Sequence, residues 1–375
     1  MHQVERAIFD LRRGLPVLID AGPGDGHSGT LVYPLESIDD SAIAALAGRA
    51  RKQVCLTLTG HRMEALGYPA SSAPACLALT RADHFDPEQL YRIALSSQAA
   101  RGDLFDDPRP AGRNELAALA LMRRSLLIPA ALTLAIDAGH RPPLDDLVGR
   151  GELLSVALEE AENCLQAASD MLKRISEADV PLAESAQSKF VLFREPDGLR
   201  EHVAVLIGDP EQWPVNVPVR LHSACLTGDL FGSLRCDCGE QLRTAVKTIS
   251  ELGGGALLYL AQEGRGIGLA NKLRAYKLQD QGHDTIDADQ ILGFGEDERH
   301  FGVAVDMLAS LGIRRVRLLT NNPVKVRALI NGGIDVVEQG RLFGRVTEHN
   351  RRYLSSKASR SGHLLEDLLK DPDQA

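Results

Sequence analysis

The chain has 375 residues, 44% hydrophobic and 25% charged, which suits a soluble protein of two domains, each able to bury a core. Its formal net charge of -9 excludes a general nucleic-acid binder, and neither nucleic acid nor membrane is expected as a partner. The most apolar run, Leu126 to Ile136, is too short to span a bilayer and contains Pro129. No secretory signal is read after Met1, and 6 cysteines in so long a chain fit a reducing cytoplasm.

In chain order, Val4 to Arg13 has the period of an amphipathic helix, and Pro16 to Asp20 reads as a short apolar strand. Leu31 to Tyr33 pairs with it after the glycine-rich stretch Gly22-Pro-Gly24-Asp-Gly26-His-Ser-Gly29, read as a flexible turn. A helix is expected over Ser41 to Arg51, a strand over Val54 to Leu58 and a helix over Leu116 to Met122. Gly151 to Ile175, rich in Ala, Leu and Glu, reads as one long helix. Ser176 to Gln187, with Pro181 and many small residues, leads into a second domain, so the expected division is 1–180 and 181–375. Cys55, Cys76 and Cys164 lie in apolar settings and read as buried small hydrophobes.

The second half alternates strands and helices. Val203 to Ile207, Val217 to Leu221, Ala256 to Leu260, Val316 to Leu319 and Ile334 to Val337 are strands. Gln241 to Leu252, Ile267 to Gln281, a helix ending at Asp306 to Leu311, and Pro323 to Ile330 are helices. The fold class is therefore α/β (α+β), two domains that each combine a mixed sheet with packed helices.

Chemistry concentrates in one run, His222-Ser-Ala-Cys225-Leu-Thr-Gly-Asp, followed by Arg235-Cys236-Asp-Cys238-Gly-Glu-Gln241. Three thiolates with a tight C-x-C pair can hold Zn²⁺ and leave its fourth position for water. A closed structural site, with His222 as fourth ligand, is the alternative that spacing leaves open. Arg220, Arg235, Arg243, Arg265, Lys272, Arg274, Arg299 and Lys325 crowd the same region and suit phosphate oxygens, although any one of them also fits a solvated face. Gln262-Glu263-Gly264-Arg265-Gly266-Ile267-Gly268 is a glycine-rich strand-to-helix turn without the Gly-Lys-Ser/Thr of a Walker loop. Thr320-Asn321-Asn322-Pro323 ends a strand and opens a helix, as an ordinary N-cap also would. Asp297-Glu298-Arg299 offers a base beside a cation, or an exposed charge run.

Taken together, these segments resemble GTP cyclohydrolase II from about Lys189 to Leu365. The resemblance rests on the runs just quoted, on Asn271-Lys-Leu-Arg-Ala-Tyr276-Lys-Leu-Gln-Asp-Gln-Gly, Leu292-Gly-Phe and Leu318-Leu-Thr-Asn-Asn-Pro, and on Lys357 with Gly362-His-Leu-Leu. It implies hydrolysis of GTP with opening of the imidazole ring, loss of C8 as formate and release of pyrophosphate. The product is 2,5-diamino-6-ribosylamino-pyrimidinone 5'-phosphate, at the first step of riboflavin biosynthesis. It further implies one Zn²⁺ per subunit on Cys225, Cys236 and Cys238, Mg²⁺ on the substrate phosphates, and a homodimer. Asp297 matches the family's proposed base, Arg299 its nucleophile or stabiliser at the α-phosphate, and Tyr276 the tyrosine of the C8 steps. Arg220, Leu221, His222, Ser223, Ala224, Gln241, Glu263, Gly264, Arg265, Thr285, Thr320 and Lys325 match nucleotide-binding positions. The family carries Glu before the first cysteine; here it is Ala224. This departure keeps two alternatives open: a paralogue acting on a related purine nucleotide or stopping at the formylated intermediate, and a non-catalytic nucleotide-binding scaffold.

The first half, through Glu5-Arg-Ala-Ile-Phe-Asp-Leu-Arg-Arg-Gly-Leu-Pro-Val-Leu-Ile and the stretch Leu31 to Leu66, resembles dihydroxybutanone phosphate synthase. That lyase is fused ahead of the cyclohydrolase in bifunctional riboflavin enzymes. Its acidic metal-binding run appears here as Asp20-Ala-Gly-Pro-Gly-Asp25-Gly-His-Ser-Gly, and its Gly-His-Thr-Glu segment as Gly112-Arg113-Asn114-Glu115. With those acid, base and metal positions lost, residues 1–180 are expected to be an inactive remnant.

Overall fold

The computed structural model describes residues 2–22, 29–40, 42, 54–69, 73–79, 86–97, 108–165 and 172–344. The described residues pack as two units: 1–167 with 273–297, and 168–272 with 298–375. Each holds a seven-stranded mixed sheet with helices against it. Among the described residues no helix is long and apolar enough to cross a membrane.

In the first unit the strands are β1 Val17–Asp20, β2 Gly29–Pro34, β3 Cys55–Leu58, β4 Ala75–Ala78, β5 Arg109–Pro110, β6 Ala130–Ile136 and β7 Leu154–Ala157. Their order is β5-β4-β3-β6-β2-β1-β7. The expected pairing of the first two strands is present, with Val17 opposite Val32 in antiparallel register. Helices His2–Arg12 and Arg113–Arg124 fall where the apolar period puts them. Leu18, Leu31, Leu56, Leu58, Leu132 and Leu134 stack into one core. Each such side chain withdrawn from water contributes about 1.5–3 kcal/mol. Cys55, Cys76 and Cys164 are buried thiols, as their apolar settings suggest, and burial pushes the last two up to about 12. Most of the Ser41 to Arg51 helix and of the stretch 22–29, including Asp25, lies outside the described residues.

The long helix expected over Gly151 to Ile175 is not formed. Leu154 and Val156 are buried and Ser155 is half-buried, the alternation of a strand, and they pair in parallel with β1, Val17 opposite Leu154. Among the described residues, only Leu158–Glu162 is helical before strand β8, Lys173–Asp179. Helix propensity loses here because the sheet edge offers more apolar burial than an isolated helix. The predicted lead-in over Ser176 to Gln187 is therefore partly strand. Every residue of β8 is exposed, so it carries no apolar period to read, and its charges suit an unpartnered edge.

Segment 273–297 packs into the first unit through long-range polar ties. Arg62, 1% exposed, donates to the carbonyls of Ile93, Ser96 and Ile291. Thr59 Oγ1 donates to the Gly293 carbonyl, and Arg274 pairs with Glu36 at 2.8 Å.

The second unit contains β8, β9 Ser188–Arg194, β10 Glu201–Ile207, β11 Val217–Ser223, β12 Gly255–Leu260, β13 Arg315–Leu319 and β14 Asp335–Gly340, ordered β14-β13-β11-β12-β10-β9-β8. Strands β12, β11, β13 and β14 are parallel and the rest antiparallel. Val219, Leu221, Leu258, Leu260, Val316 and Leu318 face helix Gly302–Ser310 on one side. On the other, helix Cys238–Glu251 packs Ala245, Val246 and Ile249 on Val205, Ile207 and Leu257. Gly254, just past the end of that helix, sits at φ +104, and a Cβ there would lie 2.6 Å from the Trp213 ring, so only glycine fits. Strands β11, β12 and β13 all end on one edge, delivering Ala224, Gln262 and Thr320 to it.

Candidate active site

Cys225 lies two residues past the end of β11, Cys236 just before helix Cys238–Glu251 and Cys238 at its first residue. The three Sγ atoms lie within 4.8 Å of one another, with Cys225 and Cys236 at 3.7 Å. Gly228 permits this: a Cβ there would meet Cys236 Sγ at 2.6 Å and Cys225 Sγ at 3.1 Å. Three soft donors converging on one point over a glycine fit a zinc ion. Hydrogen bonds with Cys236 and Cys238, then the Lys272 ammonium, hold Cys225 far below the ordinary thiol range, while the hydrogen bond with Cys225 pushes Cys236 up to about 11.

His222 is not a fourth member of the cluster. Its Nε2 faces the Asp229 carboxylate at 3.1 Å and its ring stacks on Tyr259 at 5.6 Å. Burial lowers its pKa despite Asp229, so the imidazole is neutral at pH 7. Asp229 also accepts from the Cys225 N–H and from the Tyr259 hydroxyl, each at 2.9 Å. This hub fixes the backbone that carries Cys225. It went unread because Asp229 had no visible partner in the sequence; its position four residues after Cys225 was the available signal.

Lys272 was read only as one cation among many. It is buried, with Nζ 3.1 Å from Cys225 Sγ and 2.7 Å from Glu263 Oε1. Glu263 reaches the same loop through Oε2, which accepts from Leu226 N–H at 2.6 Å. Gly264 and Arg265 continue with φ of 62° and 60°, two consecutive left-handed residues, the second costing about 1–2 kcal/mol for a non-glycine.

A second group of cations sits at the same strand ends. Arg220 is buried, donates to the Leu319 carbonyl and to Gln241 Oε1, and is lowered to about 10 by burial. Lys325 donates to the Leu221 carbonyl at 2.7 Å. Arg299 and Lys325 lie 5.4 and 5.6 Å from the centre of the Phe301 ring, and Arg299 approaches Ser223 Oγ at 3.5 Å. Phe301 as their shared platform was not foreseen. The Thr320 hydroxyl accepts from Asn322 N–H, and Asn322 caps the helix at Val324, as an N-cap should. Ala224 is half-buried, its N–H bonded to the Leu260 carbonyl. Arg235 and Arg243 are exposed, in keeping with solvated faces. Tyr276, Thr285 and Asp297 belong to the other unit: Tyr276 half-buried in helix Leu269–Asp280, Thr285 opening helix Thr285–Ile291, Asp297 exposed. Lys357 and Gly362 lie outside the described residues.

A model of the GTP cyclohydrolase II family matches residues 173–341. The GTP cyclohydrolase-2 of Azospirillum brasilense is 41% identical, covering 97% of this chain and 94% of its own. The chain belongs to the GTP cyclohydrolase II family. The Riboflavin biosynthesis protein RibBA of Phocaeicola vulgatus matches at 32% identity over 97% of this chain and 98% of its own, so the likeness within the family extends through the first half. A solved two-domain 3,4-dihydroxy-2-butanone 4-phosphate synthase from A. baumannii matches over 90% of this chain and 98% of its own at 17% identity and TM-score 0.35. The matched span of the family model holds every cysteine of the cluster together with Glu263, Lys272, Arg299 and Lys325.

Proposed function

We propose that this chain is a GTP cyclohydrolase II that hydrolyses GTP to formate, pyrophosphate and 2,5-diamino-6-ribosylamino-pyrimidinone 5'-phosphate, feeding riboflavin biosynthesis. The observation that carries the proposal is the three-cysteine cluster beside a wall of cations at the carboxyl ends of parallel strands. Cys225, Cys236 and Cys238 would hold one Zn²⁺, which supplies an activated water for attack on a ring carbon. Arg220 is anchored on Gln241, and Lys325 and Arg299 are gathered around Phe301, so their positive charges are fixed before substrate arrives. They suit a triphosphate, with Mg²⁺ on the departing pyrophosphate. Leu221, His222, Ser223, Ala224, Gln241, Glu263, Gly264, Arg265, Thr285 and Thr320 complete the proposed nucleotide site. Asp297 and Arg299 serve the phosphate step, and Tyr276 the C8 steps.

We assign this activity to 181–375 and an inactive lyase-like role to 1–180. The internal pairing of the first half supports the second assignment. Asp20 is held by Arg141 at 2.8 Å, which keeps its carboxyl below the ordinary range; Arg113 grips Glu162 through two hydrogen bonds; Glu115 caps the Gly112 N–H and pairs with Arg109. Those carboxylates are engaged by guanidinium groups, and Arg113 cannot act as a base. A homodimer in the cytoplasm completes the proposal. Incubation with GTP and Mg²⁺ should yield formate and pyrophosphate together, and ribulose 5-phosphate should yield no dihydroxybutanone phosphate. Pyrophosphate without formate would favour the enzyme stopping at the formylated intermediate. Ala224→Glu separates a lost support from a rebuilt pocket: turnover of GTP should hold or rise, whereas its collapse would favour another purine substrate.

A further inference from the structure

Burying a lysine is costly unless its charge is met, and Lys272 is 8% exposed. Its acceptors include Glu263 Oε1 at 2.7 Å, Thr227 Oγ1 at 3.0 Å and Cys225 Sγ at 3.1 Å. The carboxylate is itself fixed, Oε1 accepting from Gly264 N–H at 3.1 Å and Oε2 from Leu226 N–H at 2.6 Å. The ammonium is thus clamped between a carboxylate on the loop after β12 and a sulfur on the loop after β11. Glu263 cancels its net charge at a distance, so what remains is a dipole with its positive end on one sulfur.

That placement has a chemical consequence. Three thiolates on a divalent metal leave one surplus negative charge, and each sulfur donates density that blunts the metal as a Lewis acid. We propose that Lys272 is a positioning residue of the metal centre, whose N–H···S hydrogen bond withdraws density from Cys225 and so preserves the metal's power to acidify water. The proposal rests on the reading of Cys225, Cys236 and Cys238 as zinc ligands.

The test compares full-length wild type with Lys272→Met, Lys272→Gln and Lys272→Arg, each loaded with cobalt(II) in place of zinc. The thiolate-to-cobalt charge-transfer band reports electron density on sulfur directly. Wild type should bind one cobalt and show the band. Lys272→Met should bind cobalt in the same ratio with the band at lower energy, and its zinc form should lose about tenfold to a hundredfold in kcat with KM little changed. Lys272→Arg should return the band towards its wild-type position. If Lys272→Met fails to fold, as judged by circular dichroism, Lys272→Gln carries the test, since it keeps a donor and loses the charge; its band should also move to lower energy. An unmoved band at full occupancy overturns the proposal, as does a rise in KM with the band unchanged, which would put Lys272 on the nucleotide. No band in wild type would overturn the ligand reading, and this proposal with it.

Discussion

Gly228→Ala separates the metal site from the fold that carries it. Gly228 lies in the short helix Leu226–Asp229, and its φ is not in the left-handed region, so alanine is compatible with the backbone. Alanine in a helix is favoured over glycine by about 1 kcal/mol, which offsets part of the crowding cost in the metal-free protein. The added methyl would stand 2.6 Å from Cys236 Sγ, 3.1 Å from Cys225 Sγ and 3.1 Å from Cys238 Cβ. Ordinary contact is about 3.5 Å, so the Cys236 sulfur must retreat by roughly an ångström. Zinc–sulfur distances tolerate about 0.2 Å. We expect zinc affinity to fall by more than about a hundredfold, about 2.8 kcal/mol, while the metal-free protein stays folded and loses at most about 1–3 kcal/mol. Competition with a chromogenic chelator and thermal unfolding of the stripped protein measure the two quantities. Wild-type zinc affinity in Gly228→Ala would refute the reasoning.

Two further substitutions test the scaffold. Arg62→Met should strip the carbonyls of Ile93, Ser96 and Ile291 of their donor and destabilise the first unit by about 3 kcal/mol or more, read as a lowered unfolding midpoint in denaturant. An unchanged midpoint would mean that 273–297 is held by its apolar contacts alone. Arg265→Gly should relax a left-handed residue and raise stability by about 1 kcal/mol while raising KM for GTP, because the backbone strain is kept for the guanidinium; a variant no more stable than wild type would argue against that strain.

The parallel strands of the second unit were legible because they are largely buried: Ala256 to Leu260 is an apolar run, and Val217 to Leu221 is apolar but for Arg220. The cysteine cluster was legible because ligand chemistry demands particular residue types at short spacing. Gly151 to Ile175 was misread because its Ala, Leu and Glu content favours a helix, while the decisive partner, β1, lies more than a hundred residues away. Strand β8 has no apolar face and leaves no period. Nothing local tells that 273–297 packs with 1–167, since Arg62 and Ile291 meet only in the folded chain. Lys272 and Asp229 stood in plain view, but their meaning comes from the sulfur and imidazole brought to them by distant strands or a turn of chain. A similar contact, the engagement of His222 with Asp229, speaks against the four-ligand alternative.

The central claim is that the three cysteines make the metal site on which ring opening depends. Its most direct measurement is formate released from GTP by stripped protein titrated with zinc, alongside Cys236→Ser under the same conditions. The account predicts formate rising in proportion to zinc up to one equivalent and then levelling, with Cys236→Ser binding no zinc tightly and releasing none. Full formate release by the stripped protein, or by Cys236→Ser, would contradict it.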